Sequence, residues 1–224
     1  MVGRRKYDEA CAVSHALDLI GERWALLVVR ELLLGPKRFT DLLVGVRGAS
    51  PDVLTQRLRE LTGAGVVRRR RLGPPAAAWV YELTEWGAEL GPTVVGLARW
   101  ASRSPGMRYD GPLGTDSAVL SLQALFDPDA AAGLDATIAL RLAEERFRIR
   151  IADGQLEITR GEVDHSDATI ETDATNLLSL LRTDRPLDEA LTSGDLRVAG
   201  ERALVDKFRR LFPLPQPIPA HERT

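Results

Sequence analysis

The sequence predicts an α+β chain of two domains: a helical domain closed by a basic hairpin, followed by an antiparallel sheet covered on one side by helices. Three observations carry this. Apolar residues recur at helical spacing through most of the first hundred residues, and they alternate with period two between Thr137 and Ile158. Between the two patterns, prolines and glycines interrupt every periodicity from Ser102-Arg103-Ser104-Pro105-Gly106 to Gly111-Pro112-Leu113-Gly114. The expected organisation is a first domain over 1–103, a linker over 104–116, a second domain over 117–212 and a proline-rich tail over 213–224, where Pro213, Pro215, Pro217 and Pro219 forbid helix and sheet pairing.

In the first domain, Leu17, Ile20, Trp24, Leu27 and Val28 place a helix in Ser14 to Leu34, with Gly21 as a break point and Gly35-Pro36 as its stop. Thr40 to Val44 forms a short second helix. Ser50-Pro51 supplies an N-cap and a proline at the first helical position, opening a helix whose Leu54, Leu58 and Leu61 form one buried stripe. Val66 to Arg71 and Trp79 to Leu83 read as two strands joined through Gly73-Pro74-Pro75, and Thr84 to Ala101 closes the domain as a helix.

Composition narrows the function. No apolar stretch approaches the ~20 residues that span a bilayer, so the expectation is a cytoplasmic protein without a membrane partner. One cysteine, Cys11, and three histidines exclude a disulfide scaffold and a zinc cage. No phosphate-binding glycine loop, nucleophile elbow or metal-ligand spacing appears, which argues against an enzyme, a metal site or a cofactor. The formal net charge of -2 conceals an asymmetry: residues 1–103 carry 16 basic and 11 acidic side chains, whereas residues 104–224 carry 14 and 21. Nine basic and three acidic residues lie between Lys37 and Arg71, an excess that points to a polyanion.

Helix, short helix, polar-faced helix and basic hairpin, in that order, is the winged helix-turn-helix arrangement. A duplex major groove admits one helix and carries phosphates on both rims, so a reader needs a short polar face flanked by cations. Thr55, Gln56 and Arg59 suit base edges. Lys37, Arg38, Ser50 and the run Arg68, Arg69, Arg70 and Arg71 suit the backbone, with only alternate arginines of a strand on one side.

The segments Cys11-Ala12-Val13, Leu17 to Trp24, Leu33 to Leu42, Leu54 to Leu61 and Tyr81-Glu82-Leu83-Thr84 resemble the HxlR-type family of bacterial winged-helix regulators over about the first hundred residues. The resemblance implies a homodimer built through the first and last helices of the domain, presenting two recognition helices to a palindromic double-stranded operator. Ala12 stands where that family usually has proline, and Asp52 where a basic or small residue is common.

In the second domain, Ser117 to Phe126 is a helical apolar run. Thr137 to Leu142, Phe147 to Ile151 and Leu156 to Ile158 form an antiparallel meander with a hairpin turn at Asp153-Gly154. The strand Ala168 to Thr172, helices at Asn176 to Leu181 and Leu187 to Leu191, the strand Leu196 to Val198 and a closing helix from Glu201 to Phe212 complete it. The segments Asp167 to Ile170, Leu177 to Leu181, Ala190 to Gly194, Leu196 to Gly200 and Leu204 to Phe212 resemble the sterol-carrier-protein domain, a likeness that spans roughly residues 117–212. That resemblance implies an apolar cavity for a hydrophobic small molecule, an effector in a regulator, with Phe126, Ile138, Leu140, Phe147, Ile149, Leu156, Ile158 and Phe208 as candidate lining. Cavity and solid core share this composition. The closing helix, with Leu204, Val205, Phe208, Leu211 and Phe212, is the element expected to detach.

Cys11 is a candidate thiol sensor, since Arg4, Arg5 and Lys6 are near in sequence, but a lone cysteine is also an ordinary small hydrophobe. Asp164-His165-Ser166-Asp167 reads as a turn. Trp24, Trp79, Trp86 and Trp100 read as core or dimer anchors. The competing function is a lipid carrier whose first domain serves only dimerisation.

Overall fold

The computed structural model describes residues 6–108, 111–182 and 186–219; Arg4, Arg5, Tyr109, Asp110 and the end of the proline-rich tail lie outside the described residues. The chain forms two compact units, Met1–Val94 and Val95–Thr224.

The first unit runs α1 (Ala12–Ile20), α2 (Ala25–Leu32), α3 (Phe39–Gly45), α4 (Pro51–Gly63), β1 (Val67–Arg71), β2 (Trp79–Leu83) and α5 (Glu85–Ala88), and α6 (Gly91–Ala101) begins in it. The helix expected over Ser14 to Leu34 is two helices. Gly21 closes α1, its N–H donating to the Leu17 carbonyl at 2.8 Å, and Trp24 turns the chain at φ +78° before α2 begins. The helix expected over Thr84 to Ala101 is likewise α5 and α6, because Gly91-Pro92 starts a new helix rather than continuing one. The core is Val28, Val29 and Leu32 from α2, Leu42 from α3, Leu54, Leu58 and Leu61 from α4, with Val46, Val66 and Val67. The Leu54/Leu58/Leu61 stripe is thus the buried face of α4, as its spacing predicts.

One buried carboxylate joins these elements. Glu31 on α2 is 3% exposed. It accepts from Arg30 at 2.8 Å and from the Lys37 ammonium at 2.6 Å, while Arg30 also donates to the Gly45 carbonyl at the end of α3. Lys37 in turn pairs through its backbone with Tyr81 of β2, N–H to O at 2.9 and 2.8 Å, a single bridge that ties the loop before α3 to the β1/β2 hairpin. Gly45 is required by this packing: a Cβ there would lie 2.1 Å from the Glu31 carboxylate oxygen.

The second unit contains the rest of α6, then α7 (Thr115–Leu125), β3 (Ala136–Leu142), β4 (Glu145–Ala152), β5 (Gln155–Arg160), β6 (Ala168–Thr172), α8 (Ala174–Arg182), α9 (Leu187–Thr192), β7 (Arg197–Gly200) and α10 (Arg202–Arg209). The unit boundary falls inside α6 rather than after Arg103. The reason is that Arg99 donates to the Ala124 carbonyl at 2.9 Å and the Arg103 carbonyl accepts from Ile218 N–H at 2.9 Å, which ties the end of α6 to the second unit. Helix α7 begins at Thr115, two residues inside the expected linker.

The five strands take the order β5-β4-β3-β6-β7. Three pairings are antiparallel, but β3 and β6 are parallel, with Ile138 beside Ala168 and Leu140 beside Ile170. The sheet is therefore mixed rather than purely antiparallel. Residues 161–167 carry the chain from the end of β5, level with Leu140, past β4 and β3 to the start of β6, level with Ile138. Asp167 ends that return by exchanging hydrogen bonds with Thr137, N–H to O at 2.8 Å and carboxylate from N–H at 2.7 Å. This is the turn role expected for Asp164 to Asp167. Asp153 and Gly154, both at positive φ (52° and 69°), make the two-residue turn that joins β4 to β5.

One sheet face carries Ile138, Leu140, Leu142, Phe147, Ile149, Ile151, Ile158, Ala168 and Ile170, all buried, together with Leu122, Leu177, Leu178, Leu204, Val205 and Phe208 from the helices. Arg160 at the sheet edge holds α7 through Asp116 at 2.5 Å and lies over the Phe147 ring. The other sheet face is polar.

Glu31→Gln removes the charge that holds Arg30 and Lys37 in a largely dry site. The expected loss is on the order of 2 kcal/mol of first-unit stability, and Gly45→Ala, which displaces the same carboxylate, should cost a comparable amount. Urea unfolding followed by tryptophan emission checks both, and unchanged midpoints would remove Glu31 from the role assigned to it.

Candidate nucleic-acid interface

Helix α4 is built as a presented helix. The Ser50 hydroxyl accepts from Val53 N–H at 3.3 Å, Pro51 occupies the first turn, and Asp52 adds negative charge where the helix dipole favours it. Ser50 is therefore a cap first, with its hydroxyl proton left to donate. With Leu54, Leu58 and Leu61 buried, Thr55, Gln56 and Arg59 come together on the exposed side. Gln56 donates to Glu60 at 2.7 Å and accepts from Arg59 at 2.8 Å, a preformed polar strip of amide and guanidinium. Arg57 points elsewhere and pairs with Glu60 and Glu22.

The hairpin sorts its arginines. β1 and β2 pair in the register Arg68 to Glu82, Arg69 to Tyr81, Arg70 to Val80 and Arg71 to Trp79. Arg68 and Arg70 converge on Glu82, their Nε atoms donating to its two oxygens at 2.8 and 2.6 Å. Glu82 is 8% exposed. Burial pushes its carboxyl up, but the hydrogen bonds from Arg70 and Arg68 outweigh burial and hold it below the ordinary carboxylate range. The clamp is thus intact at neutral pH, and its contribution is lost only as pH falls through that lowered value. On the opposite face Arg69 lies over the Trp79 ring at 4.5 Å and near Tyr81 at 6.0 Å, and Arg71 is exposed beside it. Trp79 is therefore a stacking platform for an arginine, not a core anchor.

The structure gathers Thr55, Gln56 and Arg59 on the exposed side of α4 and sets Arg69 and Arg71 on one face of the hairpin, and it moves one residue of the sequence reading out. Lys37 is 15% exposed at its side chain and committed to Glu31, so it positions the hairpin rather than a phosphate. Arg38, at the N-cap of α3, is exposed. Sequence reasoning missed Glu31 and Glu82. Neither lies in a motif, and only the strand register reveals that Glu82 faces two arginines.

Cys11 sits at the N-cap of α1 and is half-buried. The first-turn backbone N–H groups of Ser14 and Val13 hold its thiol below the usual range. Among the described residues no cluster of three or more His, Cys, Asp or Glu side chains is arranged to hold a metal ion, and no helix is long and apolar enough to cross a membrane.

In the second unit the expected pocket lining is solid core. Ile138, Leu140, Phe147, Ile149, Ile158 and Phe208 are buried among one another, Leu156 is half-buried at the edge strand, and Phe126 packs on Phe212 at 6.1 Å. The closing helix is integrated in the same way, with Phe208 and Phe212 in edge contact at 4.8 Å. A cavity of about 940 Å³ lies instead beside α8, α9 and α10, lined by Leu180, Leu187, Asp188, Arg202, Arg209 and Phe212 among others.

A capped helix that exposes a polar strip, next to a hairpin of arginines, defines the winged helix-turn-helix class. Residues 19–107 match the family described as HxlR-like helix-turn-helix. The chain is similar to the HTH-type transcriptional regulator YvaP of Bacillus subtilis, 34% identical over 39% of this chain and 81% of that protein, and to YodB of the same organism, 33% identical over 41% and 81%. An HTH-type regulator of Synechocystis is 34% identical over 41% of this chain and 68% of its own length. The chain belongs to the HxlR-like helix-turn-helix family. The solved structure of reduced YodB overlays 44% of this chain and 97% of that one at 30% identity and a TM-score of 0.39. Residues 119–218 match the alkyl sulfatase C-terminal family, a sterol-carrier-like fold.

The pairing pattern in the hairpin generates a dissection of the salt dependence. Arg69→Ala and Arg71→Ala should each flatten the plot of log affinity for DNA against log salt by ~0.9. Arg68→Ala and Arg70→Ala, which share the one Glu82 carboxylate, should each flatten it less, and Glu82→Gln should steepen it. Four equal arginine effects would show that the clamp opens on binding and that Glu82 does not sort them.

Proposed function

We propose that this DNA-binding transcriptional regulator acts as a homodimer on a palindromic operator, reading bases through Thr55, Gln56 and Arg59 and holding the backbone through Arg38, Ser50, Arg69 and Arg71. The observation that carries this reading is the α4 strip itself: a helix buried on one side, capped by Ser50 and free on the other, flanked by guanidinium groups. Dimerisation is supported by uncovered apolar side chains. Helix α6 buries none of its residues, with Leu97 exposed and Trp100 77% exposed, and α1 exposes Val13 and Leu17. A chain that left such helices in water alone would carry a large unfavourable surface.

The test is binding to the promoter region of its own gene. Affinity should fall steeply with salt, and Gln56→Ala or Arg59→Ala should each relax base preference at particular positions by roughly 1–3 kcal/mol. Loss that is uniform across sequences would instead make the α4 strip a backbone contact. A lipid carrier with a merely dimerising first unit would bind no DNA in a salt-dependent way.

Two regulatory inputs complete the proposal. Cys11, with its lowered thiol pKa at a helix N-terminus, senses electrophiles; a thiol-reactive compound should change operator affinity in the parent and leave Cys11→Ser unaffected. Equal responses would assign Cys11 to packing. The cavity beside α8, α9 and α10 takes a hydrophobic effector, and occupancy alters operator affinity only as far as the effector discriminates between dimer states, ~5- to 150-fold for ordinary couplings.

A further inference from the structure

The polar face of the five-stranded sheet holds an arrangement that the helix-turn-helix reading does not use. Along β4, Arg146, Arg148 and Arg150 alternate with the buried Phe147, Ile149 and Ile151, so the three guanidinium stems rise from one face at ~6.8 Å intervals. Arg141 of β3 stands directly opposite Arg146, and Arg197 of β7 lies on the same face. Between them the face is built of the short side chains Thr137, Ala139, Thr159, Thr169 and Ala199.

The local carboxylates do not balance this set. Arg150 pairs with Asp135 at 2.6 Å, Arg146 approaches Glu162 at 3.7 Å, and Glu171, next to Arg141 in register, is turned to Arg197 at 3.5 Å. Arg141 and Arg148, both exposed, have no ion pair among the described residues. Five arginines thus share a sheet face with Glu157 and Glu171, in a half of the chain whose formal charge is -7. Directly opposed like charges on neighbouring strands destabilise a sheet. Arg141 faces Arg146 on one side, and the carboxylate in register with it on the other, Glu171, is drawn to Arg197, as on a surface that meets an anion from outside.

We infer that this face is a second DNA-binding surface, which contacts the phosphate backbone of duplex flanking the operator through Arg141 and Arg148. The inference rests on the DNA-binding reading above and goes beyond it, because it places sequence-independent contacts in the unit that carries no helix-turn-helix. A duplex is the occupant favoured by the chemistry: the face carries guanidinium groups at alternate positions of β4, a chemistry suited to phosphates, and the register places no large apolar side chain on it to bury against a folded partner.

The experiment compares the full chain with Arg141→Gln/Arg148→Gln on two duplexes that share one operator core, a short one ending at the core and a long one with flanking duplex on both sides. On the long duplex the double variant should flatten the salt plot by ~1.8 per protomer, which is ~12-fold less loss of affinity between 50 and 200 mM salt for each protomer engaged. On the short duplex it should match the parent. Arg141→Lys/Arg148→Lys, which keeps the charges, should retain the long-duplex slope. The Gln variant should also melt no lower than the parent, since it removes the opposed pair Arg141 and Arg146. Equal slopes for parent and Gln variant on the long duplex overturn the inference, as does an equal loss on both duplexes. A changed sedimentation coefficient with unchanged slopes would overturn it in favour of a contact between copies of the chain. If the parent binds neither duplex, the DNA-binding reading itself fails, and Arg69→Ala serves as the control that should flatten both plots.

Discussion

The first unit depends on a single carboxylate taken out of water. Glu31 is tolerated in the interior because two cations reach it, and each of those cations carries a second attachment. Arg30 holds the carbonyl that ends α3, and Lys37 holds β2 through its backbone. A buried ion is costly when unpaired and adds little net stability when paired, but its geometry is demanding. Here that demand fixes the end of α3, from which the turn into α4 departs, relative to the base of the hairpin. The polar strip of α4 and the arginines of β1 are therefore placed by an interaction that neither of them makes.

The same logic recurs on a smaller scale in the hairpin. Arg68 and Arg70 would repel across one pleat face, and Glu82 converts that repulsion into a three-membered network. The consequence for recognition is selective. Arginines held by a carboxylate supply rigidity, whereas Arg69 is held by the faces of Trp79 and Tyr81, a contact that occupies none of its hydrogen-bond donors. Alternation in a strand separates the two kinds, so one short run of four arginines serves two purposes.

Much of this was legible in the sequence, and the failures share a cause. Ser50-Pro51, the Leu54/Leu58/Leu61 stripe, the Asp153-Gly154 turn and the strands on either side of Gly73-Pro74-Pro75 are local signals, and each stands where its pattern placed it. What was not legible depends on pairing between distant residues. The seven residues between β1 and β2 do not fix a register, so the meeting of Glu82 with Arg68 and Arg70 was hidden. The parallel seating of β6 on β3 arises from a long return, which no period-two pattern reports. Lys37, in a loop before a helix, looked like a phosphate ligand because the carboxylate six residues earlier gave no sign of being buried. Ile138, Leu140, Phe147 and Ile149 looked equally like a pocket or a core, since both use the same side chains; only packing shows that they fill the space between sheet and helices.

These cases separate formal charge from available charge. The segment from Lys37 to Arg71 holds nine cations in its sequence, yet Lys37, Arg57, Arg68 and Arg70 are each spent on a carboxylate of the same unit. What remains for an outside anion is Arg38, Arg47, Arg59, Arg69 and Arg71, fewer charges but ones without an ion pair among the described residues. In the second unit the relation is reversed: the formal charge is negative, while two of the five guanidinium groups on the polar sheet face, those of Arg141 and Arg148, have no ion pair among the described residues. Charges more than ~8 Å apart are largely screened at physiological ionic strength, so a duplex responds to the nearest side chains and not to the net charge of the chain. A mildly acidic regulator therefore needs no overall positive charge to bind a polyanion. It needs cations whose local partners have been withheld, and in the hairpin strand alternation is the device that keeps Arg69 and Arg71 away from Glu82.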